Sequence, residues 1–218
     1  MSKLISLNDA VDLVRDGDTI MVGGFLAVGT PERLIDALIK KGVKNLTLIC
    51  NDTGFIDRGV GKMVVAKMFK KIMTSHIGTN RESGRQMMEG ETEIVLIPQG
   101  TLIEQIRAGG FGLGGILTKT GLGTEVEKGK QVIEIDGERY LLEKPLRANV
   151  SLIFAEKADE KGNLTYHGAT RNFNPCMAAA ADIVIAEAQQ VVKVGEICPD
   201  DVVVPFIFID HIVDGGAL

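Results

Sequence analysis

Residues 16–31 read DGDTIMVGGFLAVGTP, which joins a short apolar run to a glycine-rich loop and the start of a helix. The apolar run over residues 19–22 predicts a strand buried on both faces, as in parallel sheets covered by helices. Pro31 suits the first position of a helix, Thr30 is the expected N-cap, and apolar residues follow at helical spacing. The stretch therefore predicts a strand–loop–helix unit of an α/β fold.

Strands and helices alternate along the rest of the 218-residue chain. Apolar runs predict strands at residues 46–50, 72–75, 94–97, 150–154 and 183–186. Helices are expected at about residues 7–15 and from Pro31, Thr101 and Pro175, the last with Asn174 as its N-cap. Asp136-Gly137 predicts a hairpin turn, and residues 109–124 predict a long glycine-rich loop. We expect one α/β domain over residues 1–218: an open, mostly parallel twisted sheet with helices on both faces and a small antiparallel hairpin excursion.

The composition excludes several classes of protein. The chain is 45% hydrophobic and 24% charged, as globular proteins are. Its three cysteines lie far apart and its histidines share no ligand spacing, so neither a disulfide framework nor a metal site is indicated. A net charge of −5 with scattered lysines argues against nucleic-acid binding, and no apolar run approaches the ~20 residues of a membrane span. We expect a cytoplasmic protein that binds neither nucleic acid nor membrane.

The glycine loop after the first strand is the strongest local signal for a ligand. A loop that opens onto a helix N-terminus presents unpaired N–H groups and the positive end of the helix dipole to an anion, usually a phosphate. Gly23 and Gly24 would let the backbone approach a ligand closely. No lysine follows in the P-loop pattern, which excludes a nucleotide P-loop. From the residues alone, a tight strand-to-helix turn explains the loop equally well.

Two carboxamides, Asn51 and Gln99, follow predicted parallel strands. The carboxyl ends of such strands meet at the edge where open α/β sheets bind ligands. A neutral carboxamide there can orient a carboxylate or a carbonyl, although turn chemistry is an equal alternative for Asn51. Glu104 is the acid near Gln99, but its place three residues after Thr101 predicts a helix capping box. Because no nucleophile–base pair is visible, the sequence predicts no catalytic residue and resembles half of an active site.

Residues 16–31 also resemble the signature of the α subunits of family I coenzyme A transferases. That signature has an acid, a glycine and an apolar triplet, followed by Gly-Gly-Phe and Gly-x-Pro. The similarity continues through residues 51–53, 75–80, 98–101, 118–124 and 172–175, and it covers essentially the whole chain. Among family members, the chain most resembles the acetate, acetoacetate and butyrate enzymes.

The resemblance implies a reaction and a partner. Family members move coenzyme A from an acyl thioester to a free carboxylic acid by ping-pong chemistry through a glutamyl-CoA thioester. In two-subunit members that glutamate lies in a Glu-Asn-Gly-type motif of the β subunit, and this chain lacks the motif. The resemblance therefore implies an α subunit that is active only with its β subunit, in an α2β2 heterotetramer. Coenzyme A and acyl-CoA are then substrates, and no permanently bound cofactor is expected.

The resemblance also implies site residues. The segment assigned to coenzyme A is matched by Gly23, Gly24, Phe25, Leu26, Ala27, Val28 and Gly29. Asn51 and Gln99 match the carboxamides that face the substrate carboxylate, and residues 109–124 match a loop that helps enclose the acyl site. Two alternatives are a self-sufficient sugar-phosphate isomerase on a similar fold and a non-catalytic acyl-CoA-binding subunit. The sequence does not set the acyl preference, because one or two methylenes change binding by only ~1–3 kcal/mol.

Overall fold

Eleven strands and six α-helices lie within residues 2–216, which are the residues that the computed structural model describes. The helices are α1 Leu7–Asp12, α2 Glu32–Lys41, α3 Gly61–Val65, α4 Arg81–Met88, α5 Gln99–Gly110 and α6 Asn174–Ala179. The strands are β1 Thr19–Val22, β2 Leu46–Ile49, β3 Phe69–Thr74, β4 Glu93–Leu96, β5 Ile116–Thr118, β6 Val132–Ile135, β7 Glu138–Glu143, β8 Ala148–Asp159, β9 Leu164–Thr165, β10 Ala181–Val192 and β11 His211–Asp214.

The main sheet has the strand order β11-β10-β8-β1-β2-β3-β4, and all of these strands are parallel. Short β9 adds an antiparallel pairing to β8. Ile20 of β1 packs with α1, α2 and α3 on one face, whereas Met21 packs with α5 and α6 on the other. The expected open, mostly parallel sheet with helices on both faces is therefore confirmed.

The strand order reverses between β1 and β8. The chain runs outward from β1 to β2, β3 and β4 on one side, and from β8 to β10 and β11 on the other. In open α/β sheets, ligands bind outside the carboxyl ends of the strands at such a reversal. Residues 23–29 leave β1 at this point, so the fold brings the glycine loop to the expected ligand-binding edge.

The antiparallel excursion is larger than a hairpin. It is a three-stranded sheet in the order β5-β7-β6, and its β6–β7 turn has the expected positive φ angles at Asp136 (52°) and Gly137 (79°). The expected loop over residues 109–124 is partly ordered, because Gly109 and Gly110 end α5 and residues 116–118 form β5. A Cβ at Gly109 would overlap the carbonyl oxygen of Leu146, so this glycine lets α5 pack closely against the chain that enters β8.

The predicted capping box at the start of α5 is wrong. The helix begins at Gln99, before Thr101, and no side chain caps it. Glu104 forms an ion pair with Arg107 at 2.7 Å, and the buried Thr101 hydroxyl has no hydrogen-bond partner within residues 2–216. The backbone direction after Pro98 sets the start of the helix, so the side-chain pattern misplaced it by two residues.

We predict that Gly109→Ala lowers the free energy of unfolding by about 1–3 kcal/mol, the usual effect of forcing an added group into a packed region. The added methyl would press against Leu146, whose N–H is held by the Gln105 carbonyl at 2.9 Å. Urea unfolding measures the change. Gly84→Ala in α4 is the matched control: a Cβ there meets nothing within 4 Å, so it should stabilise the helix by ~0.5–1 kcal/mol. Equal effects of the two substitutions would contradict the tight contact at Gly109.

Candidate functional site

The predicted site residues lie together in one chain of hydrogen bonds. Gln99 Nε2 donates to Asn51 Oδ1 at 2.7 Å, and Asn51 Nδ2 donates to Asp52 Oδ2 at 2.6 Å. The same Asp52 oxygen accepts from the backbone N–H of Leu26 at 3.0 Å. The start of α5, the end of β2 and the glycine loop are thus joined through Asp52, which sequence reasoning assigned no role. The signal that could have identified Asp52 was its position next to Asn51, as an acid that follows a buried strand.

The two carboxamides differ in burial. Asn51 is 2% exposed, and its backbone carbonyl oxygen accepts from the Ser75 hydroxyl at 2.6 Å and the Thr74 hydroxyl at 3.1 Å. Gln99 is exposed at the first position of α5. Each NH₂ group carries two N–H bonds and uses one of them in the chain described above. The pair can therefore offer two further donors to the oxygens of a ligand.

The glycine loop contains a tight turn with unfavourable backbone angles. Phe25 and Val28 exchange backbone hydrogen bonds of 3.0 and 2.9 Å, and between them Leu26 and Ala27 have φ angles of 47° and 67°. Two-residue turns with both φ angles positive normally contain asparagine, aspartate or glycine. Each such non-glycine residue costs about 1–3 kcal/mol, and strain of this kind clusters at ligand-binding sites.

The glycines of the loop have a packing role within the chain. A Cβ at Gly23 would overlap the Asn174 carboxamide, and one at Gly24 would overlap the Thr30 hydroxyl. Close approach of a ligand is therefore not needed to explain these two glycines. Within the loop, the N–H groups of Ala27 and Gly29 are those that form no hydrogen bond inside residues 2–216. They are the backbone donors that remain for a ligand.

Asn174 holds the loop against the sheet and is not a helix cap as expected. It lies inside α6, and Phe173 occupies the N-cap position. Its Oδ1 accepts from the N–H of Phe154 at 3.0 Å, and its Nδ2 donates to the carbonyl of Gly29 at 3.0 Å. Buried backbone groups of an irregular loop need such partners, and this one comes from a distant part of the chain.

The anion at the start of α2 is the chain's own carboxylate. The helix begins at Glu32, without the expected Thr30 cap. The N–H groups of Arg33 and Leu34 donate to the carboxylate of Glu187, at 3.3 and 2.8 Å. Burial raises the pKa of Glu187, and these two hydrogen bonds oppose that rise. The prediction that the N–H groups of this helix are unpaired and face a ligand is therefore wrong.

No activated nucleophile lies at the site among the residues that the structure describes. The Ser75 hydroxyl donates to a carbonyl, and burial raises the pKa of the Cys50 thiol, which disfavours the thiolate. Glu104 is engaged by Arg107, and Asp52 accepts from three donors. The site can orient and stabilise oxygens, but it has no group poised to form a covalent bond.

The start of the glycine-rich stretch 109–124 lies at the end of α5, away from Gln99. Gly109 and Gly110 are at the opposite end of a 12-residue helix, and 12 residues at 1.5 Å each span about 18 Å. No hydrogen bond joins residues 111–124 to Asn51 or Gln99 in the described part of the chain. That this loop encloses an acyl site stays a prediction.

Comparison with known proteins identifies the family. Residues 4–215 match the family model described as coenzyme A transferase. The α subunit of acetate CoA-transferase from Escherichia coli is 56% identical over 212 residues, 97% of this chain and 96% of that protein. The α subunit of acetoacetyl-CoA:acetate/butyrate CoA transferase from Clostridium acetobutylicum is 49% identical over 97% of both chains. The chain therefore belongs to the coenzyme A transferase family.

Solved structures share the fold. Glutaconate coenzyme A-transferase from Acidaminococcus fermentans superposes with a TM-score of 0.85 at 21% identity, over 97% of this chain and 75% of that one. An acyl-CoA transferase from Escherichia coli superposes with a TM-score of 0.86 at 23% identity, and this chain spans 46% of its length. The relatives compared above support neither the isomerase nor the non-catalytic alternative. Within residues 2–216, no helix has the length and apolar character needed to cross a membrane.

We predict that Glu187→Gln removes a pH dependence of stability. Because burial raises the pKa of Glu187 above its ordinary 4.5, the buried group contributes most stability below that value. The contribution is lost as the pH rises through the raised pKa. Urea unfolding at about pH 5 and about pH 8 gives the unfolding free energy of the wild type minus that of Glu187→Gln at each pH. Titrations of the other groups, which both proteins share, cancel in this difference. The wild-type advantage should shrink as the pH rises; an advantage that grows would contradict the burial effect.

Proposed function

We propose that this chain is the α subunit of a short-chain acyl-CoA:carboxylate CoA-transferase of the acetate, acetoacetate and butyrate class. The observation that carries the proposal is the hydrogen-bonded chain from Gln99 through Asn51 and Asp52 to Leu26. It supplies donors at the ligand-binding edge of the sheet without a nucleophile. The names of the relatives from Escherichia coli and Clostridium acetobutylicum support the substrate class.

The reaction then divides between two subunits. A glutamate carboxylate of the β subunit attacks the acyl-CoA carbonyl, which expels the CoA thiolate and forms a mixed anhydride. The thiolate then attacks the glutamyl carbonyl, which releases the first carboxylate and leaves a glutamyl-CoA thioester. A second carboxylate repeats the two steps in reverse, so that its own acyl-CoA forms and the glutamate carboxylate is regenerated. In this chain, the free N–H groups of Asn51 and Gln99 would orient the carboxylate and stabilise negative charge on the tetrahedral intermediate.

The glycine loop is proposed to hold coenzyme A. Residues 23–29 lie next to the carboxamides, and the N–H groups of Ala27 and Gly29 are available to oxygen atoms of the ligand. Coenzyme A is a substrate in this scheme. The sugar-phosphate isomerase alternative would need an acid/base pair in the chain, and the site offers none among residues 2–216.

The assembly and location implied by the sequence are part of the same proposal. Two α and two β subunits would form the active enzyme in the cytoplasm. A single domain over residues 1–218 is supported by the two hydrophobic clusters, which pack on opposite faces of one sheet. The β subunit is needed because the α site has no group that can carry the thioester.

We predict that the covalent intermediate forms on the β subunit. The purified αβ complex, incubated with acetoacetyl-CoA alone and then reduced with borohydride, should carry the modification on a β-subunit glutamate. Mass spectrometry of both chains locates it. The α chain alone should show no transfer to acetate. Modification of Glu104, or robust transfer by the α chain alone, would contradict the proposed division of labour.

We predict that Gln99→Ala lowers kcat/KM of the complex about 10- to 100-fold. Losing a hydrogen bond to a charged group costs roughly 1.5–3 kcal/mol, and 1.4 kcal/mol corresponds to a factor of ten. Steady-state kinetics and a thermal melt on the same preparation measure the effect. Gln131→Ala is the matched control, because Gln131 is exposed and its side chain forms no hydrogen bond within residues 2–216. Unchanged kinetics with a lowered melting temperature would make Gln99 a structural residue.

A further inference from the structure

Asp52 touches both functional parts of the site. Its side chain is buried, with the residue 6% exposed. Oδ2 accepts from Leu26 N–H at 3.0 Å and Asn51 Nδ2 at 2.6 Å, and Oδ1 accepts from Gly54 N–H at 2.8 Å. Hydrogen bonds to an ionised group are shorter and stronger than neutral ones. One carboxylate therefore links the glycine loop, residues 23–29, to the carboxamides of Asn51 and Gln99.

The backbone of Asp52 is fixed by the sheet. Asp52 lies three residues beyond the end of β2 and forms an isolated parallel bridge with His76 beyond β3, and the next residue, Thr53, donates through its backbone N–H to the His76 carbonyl at 3.2 Å. The side chain then crosses to the loop that follows β1. Asp52 thus reaches the loop from a rigid base, as a residue that sets geometry must.

The turn at Leu26 and Ala27 needs an external hold because both residues have positive φ angles. Two contacts provide it. Asp52 binds the Leu26 N–H, and Gly59 lies so close that a Cβ there would be 3.0 Å from the Cβ of Ala27. If the Asp52 contact is lost, the turn can relax toward unstrained angles and move the N–H group of Ala27.

We propose that Asp52 is a positioning residue for the transferase reaction. Its carboxylate holds residues 23–29 in the strained turn and at the same time orients the Asn51 carboxamide. The glycine loop and the carboxamides of Asn51 and Gln99 thereby stay in a fixed position relative to each other. This proposal rests on the proposed function and deepens it.

Alanine, rather than asparagine, tests this role. Three donors converge on the carboxylate: Leu26 and Asn51 bind Oδ2, and Gly54 binds Oδ1. An asparagine with its single acceptor oxygen at the Oδ2 position would keep Leu26 and Asn51 and lose only Gly54. Asp52→Ala removes both acceptor oxygens and therefore releases both the turn and Asn51.

The experiment is a double-mutant cycle in the αβ complex with Asp52→Ala and Leu26→Gly. Glycine adopts a positive φ without strain, so in the Leu26→Gly background the residue that Asp52 binds no longer needs the carboxylate to hold its angle. We expect Asp52→Ala alone to raise the KM for acyl-CoA about tenfold and to lower kcat about tenfold. In the Leu26→Gly background, the KM effect should fall below about threefold while the kcat effect persists, because Asn51 is still released.

Asp159→Ala is the matched control. Asp159 is 2% exposed and accepts from the N–H groups of Lys161, Gly162 and Asn163 in a turn that does not touch loop 23–29. It should lower the melting temperature without changing KM or kcat. If Asp52→Ala behaves in the same way, or if its KM effect is equal in both backgrounds, the positioning role is wrong.

Amide hydrogen exchange provides a second readout that does not depend on activity. In the wild-type complex, the Leu26 amide should exchange slowly and the Ala27 amide quickly, since only Leu26 has a partner. Equal rates would overturn the proposal even if Asp52→Ala fails to assemble. If the wild-type complex transfers no coenzyme A between any two carboxylic acids, the proposed function itself is wrong. That result is distinct from a failure of the proposal for Asp52.

Discussion

The backbone of residues 23–29 carries polar groups that the strand ladder does not pair, and the rest of the site depends on how they are satisfied. Side chains from distant parts of the chain supply the partners. Asn172 accepts from Gly24 N–H at 3.1 Å, Asn174 donates to the Gly29 carbonyl, and Asp52 accepts from Leu26 N–H. Because buried backbone groups rarely stay unpaired, these contacts fix a loop whose angles are otherwise unfavourable.

The same contacts explain why the site is rigid yet chemically incomplete. Asn51 is buried and held on both sides, while the more exposed Gln99 is held by its hydrogen bond to Asn51. Such preorganised neutral donors stabilise charge that develops during a reaction, but they cannot form a covalent bond. A reaction through an acyl or thioester intermediate therefore needs a nucleophile from elsewhere, which agrees with a family whose members include separate α subunits.

Local features of the sequence predicted much of the fold, and distant contacts account for what was missed. The Asp136-Gly137 turn depends on adjacent residues and was predicted correctly. The structure brings Asn51 and Gln99 into contact, as expected from the ends of two parallel strands. Glu187 lies 153 residues from Leu34, and Asn174 lies 145 residues from Gly29. No local pattern shows that Glu187 binds the start of the helix after β1 or that Asn174 binds the glycine loop. Glu187 was therefore overlooked, and Asn174 was assigned as a helix cap.

The most direct test of the account is a crystal structure of the αβ complex with acyl-CoA bound. The account predicts the thioester or carboxylate oxygen within hydrogen-bond distance, about 3 Å, of the Gln99 or Asn51 NH₂ group. It also predicts coenzyme A against the N–H groups of Ala27 and Gly29, with a β-subunit glutamate facing the thioester carbonyl. Coenzyme A bound away from residues 23–29, or a thioester carbonyl facing a carboxylate of this chain, would contradict the account.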